Sequence, residues 1–398
     1  MSLLPVDDAL GRLLTGVAPL DPESVALGDA LGRVLAEDLA ARLTQPPFPA
    51  SAMDGYAVRA DEARKDAVLK VAGASRAGER FKGRLGRGEA VRIFTGAPVP
   101  DGADAVLIQE NAESDGTTIR VLEALVPGQF IRPAGLDFGR GDKLLQAGRV
   151  LDARALALAA SMGHASAPVR RKPLVAILSN GDELVPPGTP PGPDQIVSSN
   201  GIGLAALVRE AGGNPVDLGI APDRTDAIGA LVERAAGAEI LVVVGGASVG
   251  DHDLVQAALA ERGMIVDFWK IAMRPGKPMM VGKLGAMRVL GLPGNPVSAL
   301  VCGHIFLKPL IRAMLGLRPQ ADLAVATLAA PMAANDFRQD YVRASMQMVD
   351  GKRVVTPFPR QDSSMLATLA IADALIVRPV RASAAVAGDP VPVFLLSA

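Results

Sequence analysis

The sequence predicts a multidomain α/β-plus-β protein built on a doubly wound, mostly parallel sheet. Three observations carry that prediction. Between about residues 173 and 312, apolar strand-like segments alternate with amphipathic helical ones, the rhythm of βαβ units. From about 57 to 145, and again from about 318, short apolar runs are punctuated by Gly, Asp and Pro, as in small β-rich domains. At 398 residues the chain is long enough for several domains with separate cores.

Taken in order, residues 5–17 place Val6, Leu10, Leu13, Leu14 and Val17 at helical spacing. Residues 23–39 repeat that spacing with Val25, Leu27, Leu31, Val34, Leu35 and Leu39, which predicts a second helix. TQPPFPASAMDGYAV then interrupts: Pro46, Pro47 and Pro49 force extended backbone and deliver Ser51, Asp54, Gly55 and Tyr56 as a polar cluster. A domain-joining turn and a functional loop fit that segment equally well. The strands VLKVAGA, EAVRIF, ADAVLI, TTIRVL and FIRP follow, with Thr95–Pro98 and Gly128–Pro133 read as loops. An Ala-rich helix over 152–162 ends at Gly163.

In the α/β region, Leu174–Leu178 is a strand leading to Asp182 and Glu183, and the Pro-rich loop VPPGTPPGPDQI reads as unstructured. Ser199-Asn200 caps a helix that stops at Gly212 and Gly213. A strand from 214 leads to Asp223, and a helix begins at 225. ILVVVGGASVGDHDL (240–254) is a strand apolar enough to be buried on both faces, running into a Gly-rich turn with Gly245, Gly246, Ser248 and Gly250, then Asp251 and Asp253. A helix near 254–262, the strand MIVDFWKIA, the loop MRPGKP and the strand–turn–helix RVLGLPGNPVSAL complete the region. Ligands of such sheets sit at the carboxyl ends of the strands, and each polar cluster named here follows a strand.

Chemistry narrows the choices. Glycines without Cβ atoms let backbone N–H groups approach a ligand, and carboxylates just after that turn suit a hard cation such as Mg²⁺ held against phosphate oxygens. Glu183, Asp223, Asp251 and Asp253, with Lys270, Arg274 and Lys277, make a mixed-charge set that fits a metal-assisted pyrophosphate reaction. For any one of these cations taken singly, a solvated face is the favoured reading. The chain carries neither a Walker P-loop nor GxGxxG, and its three His residues lack metal-ligand spacing. A net charge of −1 and an aromatic content of 3% argue against nucleic-acid binding. The acidic N-terminal stretch and the lack of an apolar run of about 18 residues predict a cytoplasmic protein with no membrane contact. Cys302, the single cysteine, reads as a core thiol.

The motifs PPFPASAMDGYAV, FTGAPVP, LSNGDEL, GGASVGDHD, MRPGKP and LPGNPVS, in that order along nearly the whole chain, resemble the molybdopterin molybdenumtransferase family, which is related to the C-terminal domain of gephyrin. The resemblance implies a molybdopterin-binding α/β domain (1–20 and 173–316), a helical linker domain (21–50 and 146–172), a β-rich inserted arm (51–145) and a C-terminal β-barrel (317–398). It implies a homodimer whose cleft both subunits complete, with molybdopterin adenylyltransferase as a transient partner. The substrates would be adenylyl-molybdopterin and molybdate, and the metal Mg²⁺ or a similar divalent ion.

Carried over by motif, Asp54 and Thr95 would come from the arm, while Glu183 and Asp253 would hold the metal. Asp223, Lys270, Arg274 and Lys277 would line the cleft. Gly245, Gly246, Ser248 and Gly250, with Pro293, Gly294, Asn295, Pro296 and Ser298, would bind substrate. Arg343 and Ser363 would reach the molybdate or pterin end. Two positions depart from the family pattern: Arg274 stands where Lys is frequent, and Leu136 where an acid is common. An inactive gephyrin-like scaffold is the alternative; the adenylyltransferase itself is disfavoured because flanking domains make up about half the chain.

Overall fold

The computed structural model of the chain describes residues 3–245, 254–319 and 323–396. It has two compact units, Met1–Glu23 with Arg170–Ala398, and Ser24–Val169. In the first unit a six-stranded sheet runs in the order Asn214–Ala221, Leu174–Asn180, Ile240–Val244, Met287–Leu292, Met280–Leu284, Ile265–Trp269. The first four strands are parallel to one another; Met280–Leu284 is antiparallel to the strands on both sides of it. That strand, absent from the predicted elements, arises because Gly285 at φ 60° closes a tight hairpin onto Met287–Leu292.

Strand alternation distributes the core over both faces. Ala176, Leu178, Leu241 and Val243 meet Ile228, Val232, Val255 and Leu259 from the helices Thr225–Glu233 and Leu254–Ala260. Val175, Ile177 and Val242, equally buried, turn to the face carrying Asn200–Glu210 and Pro296–Met314. All five side chains of Ile240–Val244 are buried, contributing on the order of 10 kcal/mol before chain entropy is counted. The helical run Pro296–Met314 is 19 residues long with hydropathy 1.4, an exception to the expectation that no segment reaches a membrane-span length. With 72% of its apolar window buried inside the protein, it packs as a core helix. Cys302 lies within it, fully buried, and desolvation pushes its thiol up to about 12.

Downstream, Gln339–Val349, Lys352–Pro357, Leu323–Leu328, Pro390–Leu395 and Ala374–Arg378 pair in that order, and the last pairs back onto the first. The result is a closed five-stranded barrel, which leaves no free sheet edge. Met273–Arg274 adds to it as a parallel partner of Gln339 and Asp340, so MRPGKP begins as strand, whereas the sequence reads it wholly as loop. The Pro-rich loop also has structure at its ends, where Leu184–Val185 pairs in parallel with Ile196–Val197.

The second unit holds another six-stranded sheet, ordered Ala105–Ile108, Gly55–Val58, Glu89–Ile93, Val68–Ser75, Thr118–Val121, Ala112–Ser114. Its helix Ala153–Ser161 is N-capped by Asp152, which accepts from the Ala155 N–H at 2.8 Å, and ends before Gly163 at φ 91°. The helix predicted over 23–39 does not form. Pro22–Ala26 is instead a strand paired with Ser166–Arg170, Leu27–Asp29 is one 3₁₀ turn, and Val34 and Leu35 bridge to Val150 and Val169. Gly28 and Gly32 weaken the helical register, and long-range bridges bury Val34 and Leu35 while Leu31 stays 67% exposed. The segment predicted as a helical linker is therefore largely extended apart from Ala153–Ser161.

Candidate active site

The carboxyl ends of the first unit's strands converge as predicted. Leu174–Asn180 ends in Asp182 and Glu183, Asn214–Ala221 leads to Asp223, Ile240–Val244 to Gly245, and Met287–Leu292 to Pro293, Gly294 and Asn295. Ile265–Trp269 points the same way, since it is antiparallel to Met280–Leu284, which is antiparallel to Met287–Leu292. Lys270, at φ 76°, and Lys277 therefore follow at the same edge, both exposed.

The acidic loops lock to each other. The Asp223 N–H donates to Asp182 at 3.0 Å, and Asn180 Nδ2 donates to Asp223 Oδ1 at 2.6 Å. Only the amide nitrogen can donate to a carboxylate, so this bond fixes the Asn180 amide, and its buried Oδ1 has no partner among the described residues. Gly181, at φ 151°, lets Glu183 fold back over the strand end, where a Cβ would collide with the Glu183 carboxylate. At Gly245, φ 98° and the Asn180 carbonyl exclude any side chain. Beside it, the PGNP turn is pinned on two sides: Asn200 Nδ2 donates to Gly294 O at 2.7 Å, and Asn295 Nδ2 to Ser363 Oγ at 3.0 Å. A further bond from the Val297 N–H to Ser363 O, 3.1 Å, seats the barrel's 358–365 loop on the start of the Pro296 helix.

In the second unit, the SAMDGYA and TGAP loops form one cross-linked patch. Asp54 Oδ1 accepts from the Thr95 N–H at 2.7 Å and from its hydroxyl at 2.8 Å. The Thr95 backbone N–H most, then its hydroxyl and Arg92, hold the Asp54 carboxyl below the usual range. Arg92 donates to Gly55 O at 3.2 Å and to Gln109 Oε1 at 2.8 Å, with Tyr56 and Phe94 rings 5.0 and 5.1 Å from its guanidinium. Gly55 is obligatory, because a Cβ there would strike the Leu107 carbonyl.

Several sequence-derived assignments are corrected. Arg343 does not face a ligand: at 1% exposure it donates to Gln361 Oε1 (3.2 Å), Met365 O (3.0 Å) and Asp362 O (2.9 Å). With Val342 and Ala344 turned into the barrel core, Arg343 projects from the strand's other face and holds the Ser363 loop there. Arg274 is bonded to Asp340 by Nε at 2.8 Å and by Nη2, with Asp336 at 3.4 Å, so its fork is occupied by carboxylates. Ser298 is 5% exposed and packs in the helix. Ser199 makes no side-chain cap to its helix; the adjacent Asn200 spends its amide on Gly294 instead. Gly246, Ser248, Gly250, Asp251 and Asp253 lie outside the described residues.

Asn180 and Arg92 were not singled out by sequence, and Asn200 was read only as part of a helix cap. The signal for Asn180 was its place in SNGDEL at a strand end; Arg92, in a strand pattern, gave none. Among the described residues no group of three or more His, Cys, Asp or Glu is arranged as a metal cage. The donors at the strand ends are carboxylates and amides, hard oxygen ligands that suit Mg²⁺ when one or two carboxylates act with substrate phosphates.

Comparison with known proteins agrees with this architecture. Residues 4–163 match the MoeA N-terminal region (domain I and II), 176–313 a probable molybdopterin binding domain, and 325–396 the MoeA C-terminal region (domain IV). The molybdopterin molybdenumtransferase of Haemophilus influenzae is 39% identical over 334 residues, covering 82% of each chain. That of Bacillus subtilis is 36% identical over 99% of this chain and 94% of its own. The crystal structure of the molybdopterin biosynthesis moea protein from Pyrococcus horikosii superposes with a TM-score of 0.87 at 32% identity, covering all of both chains. The chain belongs to the molybdopterin molybdenumtransferase family.

Proposed function

We propose that this chain is an enzyme that inserts molybdenum into molybdopterin, cleaving adenylyl-molybdopterin in the presence of molybdate and releasing AMP. The observation that carries this reading is the carboxyl edge of the parallel sheet. There the SNGDEL acids, Asp223, Gly245 and the PGNP turn converge beside Ser363, as expected for a ligand bound outside strand carboxyl ends.

The residues at this edge suit distinct roles. Gly245 and Gly294 give a phosphate-bearing ligand close backbone approach, while Asn295 and Ser363, already bonded to each other, orient it beside the Pro296 helix. Asn180 positions Asp223, and the Asp182–Asp223 lock keeps both loops in place. Lys270 and Lys277 neutralise developing phosphate charge. Glu183 and Asp253 would hold Mg²⁺ or a similar ion. Bound there, it supplies charge neutralisation and polarisation of the pyrophosphate bond. Asp54, kept ionised by Thr95, is then an acceptor that orients a substrate N–H or O–H. We assign Asp54 and Thr95 to the cleft of the second subunit in a homodimer, and the molybdopterin adenylyltransferase to transient delivery of substrate. A cytoplasmic location suits such chemistry.

The test is AMP release from the purified chain with adenylyl-molybdopterin and Mg²⁺, with and without molybdate. Molybdate-dependent release is expected, with Glu183→Gln reducing it at least about 100-fold; tight substrate binding without release, across several divalent metals, would favour the scaffold. Mixing Asp54→Asn with Glu183→Gln subunits tests the shared cleft, because a hybrid dimer regains one intact site. No recovery of activity on mixing would refute the two-subunit cleft.

A further inference from the structure

Opposite the carboxyl edge, where Met287–Leu292 begins, Arg288 is buried at 8% exposure. Its Nη2 donates to the Thr15 carbonyl at 2.6 Å, and no acid among the described residues forms an ion pair with it. Burial disfavours its charged form more than the Asp267 charge supports it. The acids nearby are already engaged: Asp267 by the Arg12 guanidinium, and Glu239 by Arg171 at 2.6 Å and the Leu174 N–H at 2.7 Å.

Directly across from Arg288, on Met280–Leu284, stands Lys283. Cross-strand partners project to one face with Cβ atoms about 5 Å apart, and like charges in that relation destabilise a sheet. Both line a cleft of about 730 Å³ with Arg12, Thr15 and Asp267, bordered by Gly282 and Gly285. A desolvated guanidinium and a facing ammonium, neither with a carboxylate partner, form a site one negative charge would complete.

We propose that this cleft binds a tetrahedral oxyanion, a free phosphate-like ion or a phosphate monoester, between Arg288 and Lys283. The site lies at the opposite end of the sheet strands from the catalytic edge, and it does not depend on the function assigned there. An occupant would tie the Gly285 hairpin to the segment after the first helix, through Arg288 and Thr15.

Calorimetric titration of the full chain with inorganic phosphate tests this, with Lys283→Gln and Lys277→Gln, the latter at the carboxyl edge, as variants. Saturable binding at the cleft is expected in the parent, weakened about tenfold or more by Lys283→Gln; binding that responds to Lys277→Gln reports the carboxyl edge instead. Thermal melts give a second readout that does not require the variant to bind. Without phosphate, Lys283→Gln should melt at or above the parent, because the like-charge repulsion is relieved. Phosphate should then raise the midpoint of the parent alone. Equal stabilisation of parent and Lys283→Gln, or binding lost only in Lys277→Gln, overturns the proposal. AMP in place of phosphate separates the two sources: Lys283-dependent binding identifies a monoester site, and phosphate binding alone a site for the free ion.

Discussion

Replacing Arg343 separates a structural role from a ligand-binding one. In Arg343→Met the three side-chain bonds to Gln361, Met365 and Asp362 are lost, while an apolar side chain of similar length stays buried beneath the loop. At about 1 kcal/mol net for each bond, the 358–365 loop should lose about 3 kcal/mol of local stability. Its acceptors lie near the surface and can be rewetted, so the larger cost of sealed, unpaired groups does not apply in full. Whole-chain melting reads a change confined to one loop poorly, because a loop can open without global unfolding. Hydrogen exchange reads it directly. A loss of about 3 kcal/mol raises exchange on the order of 100-fold at the amides this loop orders: Ser364, Met365 and, through Ser363 O, Val297. Amides of Ala374–Arg378, in the barrel wall, should keep their protection. The same variant should weaken substrate binding through the displaced Ser363, and Ser363→Ala should reproduce that part without the exchange effect. Unchanged loop protection together with a large loss of molybdate affinity would refute the argument, because Arg343 would then touch the ligand itself.

Three further outcomes follow from the geometry. Thr95→Val removes a hydroxyl donor from Asp54, whose carboxyl the Thr95 bonds hold below the usual range. The acidic limb of the pH–rate profile should therefore move to higher pH, and a limb that stays in place would dissociate Asp54 from catalysis. Gly245→Ala puts a side chain at φ 98° against the Asn180 carbonyl, so a cost of at least about 2 kcal/mol is expected, read as a lowered denaturant midpoint together with lost turnover. His304 is buried, with its folded value depressed to about 4 by desolvation and then by Lys308. The unfolded chain takes up that proton first as pH falls, so stability should drop by a few kcal/mol between about pH 6.5 and about 4. Urea midpoints measured across that window should flatten in His304→Leu; an unchanged slope would point to another group.

Much of the fold was legible in the sequence because burial imposes a period on it. Ile240–Val244, five apolar residues with three Val in succession, reads as a strand buried on both faces, and the strand–helix alternation around it implies a parallel sheet with its ligand edge at the carboxyl ends. The short, turn-bounded runs of the arm and of the last domain likewise announce β structure. Apolar spacing fails where it suits more than one partner. Residues 23–39 carry a helical pattern, yet Val34 and Leu35 gain their burial from Val150 and Val169, more than a hundred residues away, and local periodicity holds no record of such contacts.

The site divides along the same line. Residue type and motif order alone determined which chemistry is present: acids and amides after strands, glycines where backbone must come close, and serine in a polar loop. Tertiary structure decided which of those groups are free to act. Arg343 and Arg274 look like oxyanion ligands in sequence, but folding surrounds one with loop acceptors and pairs the other with Asp340 and Asp336. Asn180 has the reverse history: ordinary in sequence, it becomes the group that aims Asp223. A charged or amide side chain makes only a few directional bonds, and the sequence states that capacity. Which partners fill it is set by segments that meet only when the chain folds.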